Sequence, residues 1–156
     1  MSDDPISFDR IGTVTIQFDD GPVVLGRPTF KQWRHFSREL QRISDEAQAQ
    51  SRALTAMVEE AKEALDKATG KAKAAAQAEF DAAEAEAVAV LGVPFYERTL
   101  PWMVDVFAQL ASGSLAASVP DTDDWPAFLA ADHTLPAQIV AHWRTVPKAS
   151  GPTPTN

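Results

Sequence analysis

The sequence predicts a mainly α-helical protein with a small N-terminal β-hairpin, a long Ala-rich helical hairpin forming an arm, and a C-terminal bundle of short helices. Three observations predict it. Residues 13–18 alternate polar and apolar side chains and run into "DDGP", a turn sequence. Residues 30–69 and 71–91 repeat small or apolar residues at steps of three and four, the spacing of one helix face. The last third sets tryptophans and branched aliphatics at helical spacing between prolines and capping residues. The divisions that follow are a hairpin over 1–28, a long helix and helical-hairpin arm over 29–92, a C-terminal helical region over 93–147 and a disordered tail over 148–156.

In chain order, "ISFDRIGTVTIQF" reads as one half-buried strand, with Val14, Ile16 and Phe18 on one side and Thr13, Thr15 and Gln17 on the other. Asp20-Gly21 is suited to positive φ, and "VVL" at 23–25 returns as the second strand. An isolated hairpin is marginal in water, so it must lie on something. Thr29, with Gln32 three residues on, has the spacing of a capping box and opens a helix. The seam that follows is Phe36, Leu40, Ile43, Ala47, Gln50, Leu54, Met57, Ala61, Ala64 and Ala68, broken in polarity only at Gln50. A helix from 30 to 69 is about 60 Å long at 1.5 Å per residue, too long for a small globule to bury. The pattern resumes after Gly70 with Phe80, Ala83, Ala87 and Val90, and Gly92 and Pro94 end it. An antiparallel hairpin turning near Gly70 is the economical reading; one unbroken helix is the alternative, since a lone glycine costs only about 1 kcal/mol against alanine. The favourable (i, i+4) pair Glu63–Lys67 adds a few tenths of a kcal/mol.

Trp102, Val106 and Leu110, flanked by Met103 and Phe107, mark a central core helix after Pro94. "SLAASVPDTDD" is a loop leading to Asp124, the expected N-cap of a short helix. Thr134, with Pro136 just inside, caps another helix from about 135 to 145.

Composition narrows the function classes. The chain has 156 residues, a formal charge of -8 and a pI near 4.8, so attraction to phosphate backbones is disfavoured and nucleic acid is not an expected partner. Seventeen alanines between positions 47 and 91 inflate its hydrophobic fraction of 45%, leaving the bulky core formers at the two ends. There is no cysteine, which removes disulfides, thiolate nucleophiles and Cys-ligated zinc and fits a reducing cytoplasm. The acidic start "MSDDPISFDR" is unlike a signal peptide, and no apolar run nears the roughly 18 residues of a membrane span. The expectation is a soluble intracellular protein that touches neither membrane nor nucleic acid.

No catalytic motif emerges. His133 and His142 lie nine residues apart beside Asp132, without an (i, i+4) pair or an HExxH run, so capping and edge contacts outweigh metal ligation. There is no GxSxG elbow, phosphate-cradling loop or GxGxxG, and neighbouring carboxylates such as Glu59/Glu60 and Asp123/Asp124 face different ways. The sequence predicts no enzyme, no metal and no cofactor. Lys31, Arg34, Arg38 and Arg42 form a basic stripe, read either as a docking strip for an acidic partner or, more simply, as a solvated face with Arg42 near Glu46. Trp125, Phe128 and Leu129 make one apolar strip; Leu135, Ile139, Val140 and Trp143, with His142 beside them, make another. Helices this short hold only when packed. They either close over the Trp102 helix as core or form an aromatic groove for another chain, the candidate partner-binding surface, since tryptophan is enriched at binding hot spots.

At these residues the chain resembles the tail assembly chaperones of long-tailed actinobacterial phages. The resemblance rests on Trp125-Pro126 and its short helix, "LPAQIVAHWRTVP" and a Pro/Gly tail, and on "TVTIQFDDGPVVLGRPTF" leading into the helix with Trp33 and Arg34. It touches both ends, roughly half the chain; the long Ala-rich arm departs from the shorter members. The resemblance implies a non-enzymatic protein that keeps the helical, aggregation-prone tape measure protein soluble in the host bacterial cytoplasm and is absent from the mature virion. It also implies a longer frameshifted product, and self-association is a further partner expectation. The alternative is a structural tail or connector component that oligomerises through its helical arm.

Overall fold

Alternation builds the sheet because one of its faces is closed. In the computed structural model, which describes residues 5–112 and 124–145, β2 (Val14–Phe18) pairs antiparallel with β3 (Gly21–Leu25). The register sets Val14 opposite Leu25 and Ile16 opposite Val23, and all four are 2% exposed or less. The turn differs from expectation. Phe18 pairs with Gly21, so Asp19 and Asp20 are the two central residues; Gly21 alone has positive φ, 131°, and Asp20 does not.

The single strand expected from residue 6 onward is two strands. β1 (Ile6–Phe8) pairs with β2 through Ile6–Ile16 and Phe8–Val14, and residues 9–13 turn between them. Asp9 closes that turn: its backbone N–H donates to Thr13 O at 2.9 Å, while its side chain accepts from Ile11 N at 3.3 Å. Gly12, at φ 90°, supplies the reversal. A two-residue edge, β4 (Ala111–Ser112), completes an antiparallel sheet of order β1-β2-β3-β4. It is too short for alternation to reveal, and it continues the Gly26 N to Leu110 O bond of 2.8 Å.

The capping box forms as its spacing predicts. Gln32 N donates to Thr29 Oγ1 at 3.2 Å and Thr29 N to Gln32 Oε1 at 2.9 Å, opening α1 (Phe30–Lys67). α2 (Lys71–Leu91) follows, then α3 (Phe95–Leu110), α4 (Asp124–Ala131) and α5 (Leu135–Thr145). α4 begins at Asp124 itself rather than after it. Its carboxylate stands in the first turn, where the helix dipole favours it. α3 contains Pro101, which removes one intrahelical N–H; nearby, the buried Thr99 hydroxyl donates to Tyr96 O at 2.9 Å.

The chain divides into two units, and the division falls inside α1 rather than at its start. One unit holds the described residues up to Arg42 and from Tyr96 onward; the other is Ile43–Phe95. In the first, sheet and helices share an aromatic core. Phe36 lies 6.3 Å from Trp102 and 5.9 Å from Trp143 between ring centroids, and Trp125 meets Phe18 edge-on at 4.9 Å and Phe107 at 6.0 Å. Trp102, Met103, Val106, Phe107 and Leu110 are all buried, as the core-helix reading expects. Two indoles are also fastened by hydrogen bonds: Trp102 Nε1 donates to Phe36 O at 2.7 Å, and Trp143 Nε1 to Gly12 O at 3.1 Å, which ties α5 to the β1–β2 turn.

The second unit is a helical hairpin. α1 ends at Lys67 and α2 begins after Gly70, whose φ of 63° and ψ of -133° only glycine adopts readily; the unbroken-helix alternative is excluded. On α2, Ala83 and Ala87 are buried and Phe80 and Val90 half-buried, matching the expected seam. On α1 the seam drifts. Leu54, Ala61 and Ala68 keep their places, but Gln50 and Ala64 are exposed, and Ser51 and Leu65 beside them are half-buried instead. Val58 joins Met57 as a half-buried residue. Bulk explains the shift at 64/65, because leucine gains more than alanine from the same cover.

Candidate functional site

The C-terminal strips are interior. Trp125, Leu129, Leu135 and Ile139 are fully enclosed, and Val140 and Trp143 are 6% and 7% exposed. Phe128 and His142 are half-buried at the edge, Phe128 against Phe18 at 5.2 Å and the His142 ring against Phe8 at 4.9 Å. These side chains therefore pack their own unit. Of the two readings of these strips, core over the Trp102 helix is the one the burial matches rather than an aromatic groove, because two helices of 8 and 11 residues cannot persist without spending their apolar faces on packing. Three enclosed nitrogens, Trp33 Nε1, Trp125 Nε1 and His142 Nε2, have no hydrogen-bond partner among the described residues.

The basic stripe is exposed along its length, as both its readings require. Lys31, Arg34, Arg38 and Arg42 are all exposed. Arg34 stands over the Phe30 ring at 5.6 Å, and Phe30 stacks on Trp33 at 6.0 Å. Arg42 donates to Glu39 at 2.9 Å, and that hydrogen bond holds the Glu39 carboxyl below its usual range. Nearby, His35 Nε2 meets Asp105 Oδ2 at 3.2 Å, joining α1 to α3 on the surface, and Gln109 donates to Asp105 at 2.8 Å within α3.

The histidine and carboxylate cluster near residue 132 does structural work. Asp132 accepts from Thr134 N at 3.1 Å, from the Thr134 hydroxyl at 2.6 Å and from Gln138 Nε2 at 3.2 Å, and so organises the entry to α5. The Thr134 hydroxyl bond is the main reason its carboxyl titrates below the ordinary aspartate range. Among the described residues no group of three or more His, Cys, Asp or Glu could hold a metal ion. The expected loop lies outside the described residues up to residue 123, as does the tail 148–156.

Exposed apolar side chains occur on both units, with Phe8, Ile11 and Phe30 on the first at 38%, 61% and 58% exposure, but an open apolar depression lies on the hairpin unit. Thr55, Val58 and Glu59 of α1 and Glu84, Ala87, Val88 and Leu91 of α2, with Gly92, line a shallow depression of about 490 Å³. Val88 is 67% exposed, Leu91 45%, Val93 39% and Phe95 39%. In the last turns of α2, Ala83 and Ala87 are buried, while Val88 and Leu91 are exposed apolar side chains beside the exposed Glu84 and Glu86. The exposed apolar pair lacks cover. The seam periodicity gave no weight to Val88 or Leu91; the readable signal was two bulky apolar residues off the seam just before the glycine that ends the helix.

Comparison with protein-family models, with curated proteins and with solved structures finds no match to this chain. No helix among its described residues is long and apolar enough to cross a membrane.

Proposed function

We propose that the chain is a non-enzymatic helix-binding chaperone, and specifically a phage tail assembly chaperone that keeps the tape measure protein soluble in the host cytoplasm and is absent from the finished virion. The observation that carries the helix-binding reading is the uncovered apolar pair on α2. Val88 and Leu91, at 67% and 45% exposure, sit in an open groove between two helices, the surface that an amphipathic partner helix would cover. The resemblance at both ends of the chain supports the narrower assignment. A formal charge of -8 supports it as well, since acidic charge would keep a coated, otherwise sticky partner in solution.

The mechanism is reversible burial. A tape measure protein presents apolar heptad seams before any tube surrounds it, and a hairpin groove covers part of such a seam without a covalent step. Release follows when the growing tube offers a larger apolar surface to the same seam.

Co-expression with the neighbouring tape measure gene product, followed by size-exclusion chromatography with light scattering, tests the reading. A soluble complex seen only when both chains are present is the expected result. A lone chain that builds defined large assemblies and ignores the tape measure protein, or one found stoichiometrically in purified particles, would overturn it in favour of a structural tail or connector component.

A further inference from the structure

We propose that the groove between α1 and α2 is built for one kind of occupant: a partner's amphipathic helix whose small-apolar stripe is bordered by Lys or Arg. The inference rests on the helix-binding reading above and adds the chemistry of what is bound. Charge is the first argument. Glu59 and Glu84 stand among the apolar lining residues, one on each helix, so any segment laid between them has a carboxylate on either side. The charged side chains of the lining are both acidic. Residues 53–61 carry Glu59 and Glu60, residues 74–97 carry Glu79, Asp81, Glu84, Glu86 and Glu97, and neither stretch contains a Lys or Arg. Arg52 and Lys62 border the α1 stretch, Lys62 one helical turn from Glu59, and Lys67, Lys71 and Lys73 lie by the turn; none of the five lines the groove. Like-charged helices are repelled by such a site and basic ones are drawn in.

Shape is the second argument. The α2 side of the groove runs from Glu84 to Gly92, a little over two helical turns or about 12 Å at 1.5 Å per residue. That length reads anchors at i, i+3 or i+4, and i+7 of a bound helix. The lining side chains are short, with Thr55, Val58, Ala87 and Val88 among them, so a third helix approaches closely if its own stripe is small. No titratable donor or acceptor other than the two glutamates lines the groove, which leaves apolar contact and flanking charge as the means of recognition.

The experiment uses the full chain and two labelled peptides of about twenty residues, long enough to populate a helix. Both carry the same Ala/Leu heptad stripe; one has Lys beside it and the other Glu. Fluorescence anisotropy is expected to show binding of the Lys-bordered peptide, weakened by added salt, and at least roughly tenfold weaker binding of the Glu-bordered one. Val88→Lys, at a position open enough to accept lysine without unfolding, should abolish binding, and Glu59→Lys with Glu84→Lys should reverse the preference between the peptides. Equal binding of both peptides, binding untouched by Val88→Lys, or a lone chain that is a dimer dissolved by Val88→Lys would each overturn the proposal, the last by making a second copy the occupant. Co-expression separates this failure from that of the broader reading. A tape measure complex that survives Val88→Lys leaves the chaperone reading standing and removes the groove as its site, whereas no complex with the unaltered chain removes the chaperone reading while the peptides still decide what the groove takes.

Discussion

Single side chains in this protein settle competing readings. Trp143 and Trp125 read from sequence either as core or as binding anchors, and the structure makes them core, one with its N–H on Gly12 O and the other enclosed among Phe18, Phe107 and Phe128. Periodicity shows which residues share a helix face; it does not show whether another part of the same chain covers that face. Asp132 is the residue whose role can be tested most directly. Its folded-state carboxyl titrates low because Thr134 and Gln138 donate to the charged form. A depressed carboxylate contributes stability that is fully present above its unfolded value, about 3.9, and is lost as pH falls through the lower folded value. Carboxyl NMR should place the Asp132 midpoint below that of a free aspartate, and the amides opening α5 should lose exchange protection in that acidic window. The Asp132→Asn variant should lack this pH dependence. An ordinary midpoint for Asp132 would show that its hydrogen bonds do not persist in solution.

At the scale of the element, legibility follows how local the determining chemistry is. The α1 capping box, the α5 span and the Ala83/Ala87 seam were readable because each depends on residues three or four apart. The break within residues 6–18 is not part of the alternation of Val14, Ile16 and Phe18; it is set just before it by the turn formers Asp9 and Gly12. β4 was missed because two residues have no period. The drift of the α1 seam to Ser51 and Leu65 comes from the partner helix, which a single-helix pattern cannot contain. The turn at Gly70 tests the hairpin itself. Nothing lies within 4 Å of where a Cβ would stand there, so Gly70→Ala meets no clash, and its whole cost is the positive φ of 63°. That strain amounts to about 1–3 kcal/mol. Denaturant titration should show a loss of this size in the hairpin unit, with the near-UV signal of the buried tryptophans, none of which lies in Ile43–Phe95, unchanged. No loss would mean that the hairpin turns elsewhere.

For the molecule as a whole, apolar burial is unevenly shared. Of the nineteen buried hydrophobic residues among those described, only Leu54, Ala83 and Ala87 belong to the hairpin unit, and two of those are alanines. Local opening free energy scales with such burial, so hydrogen exchange should run markedly faster across Ile43–Phe95 than across α3 and the sheet. A bound partner helix should slow it most at residues 55–59 and 84–92, by mass action on the closed state. Uniform protection across both units would contradict this ranking. The thin core also explains why the fold class was readable and the site was not: bulky aromatics announce a core, whereas a groove of alanine, valine and threonine differs little from any solvated helix pair until its partner helix is placed beside it. The one-signed charge of that groove's lining has a practical consequence. Trypsin, which cuts after Lys and Arg, releases the α1 side within residues 53–62 and the α2 side whole within residues 74–98, so two peptides carry the entire surface into a mass spectrometer. Amine-reactive cross-linkers find no lysine among the groove's lining residues, while reagents that activate carboxylates find Glu59 and Glu84 directly on it.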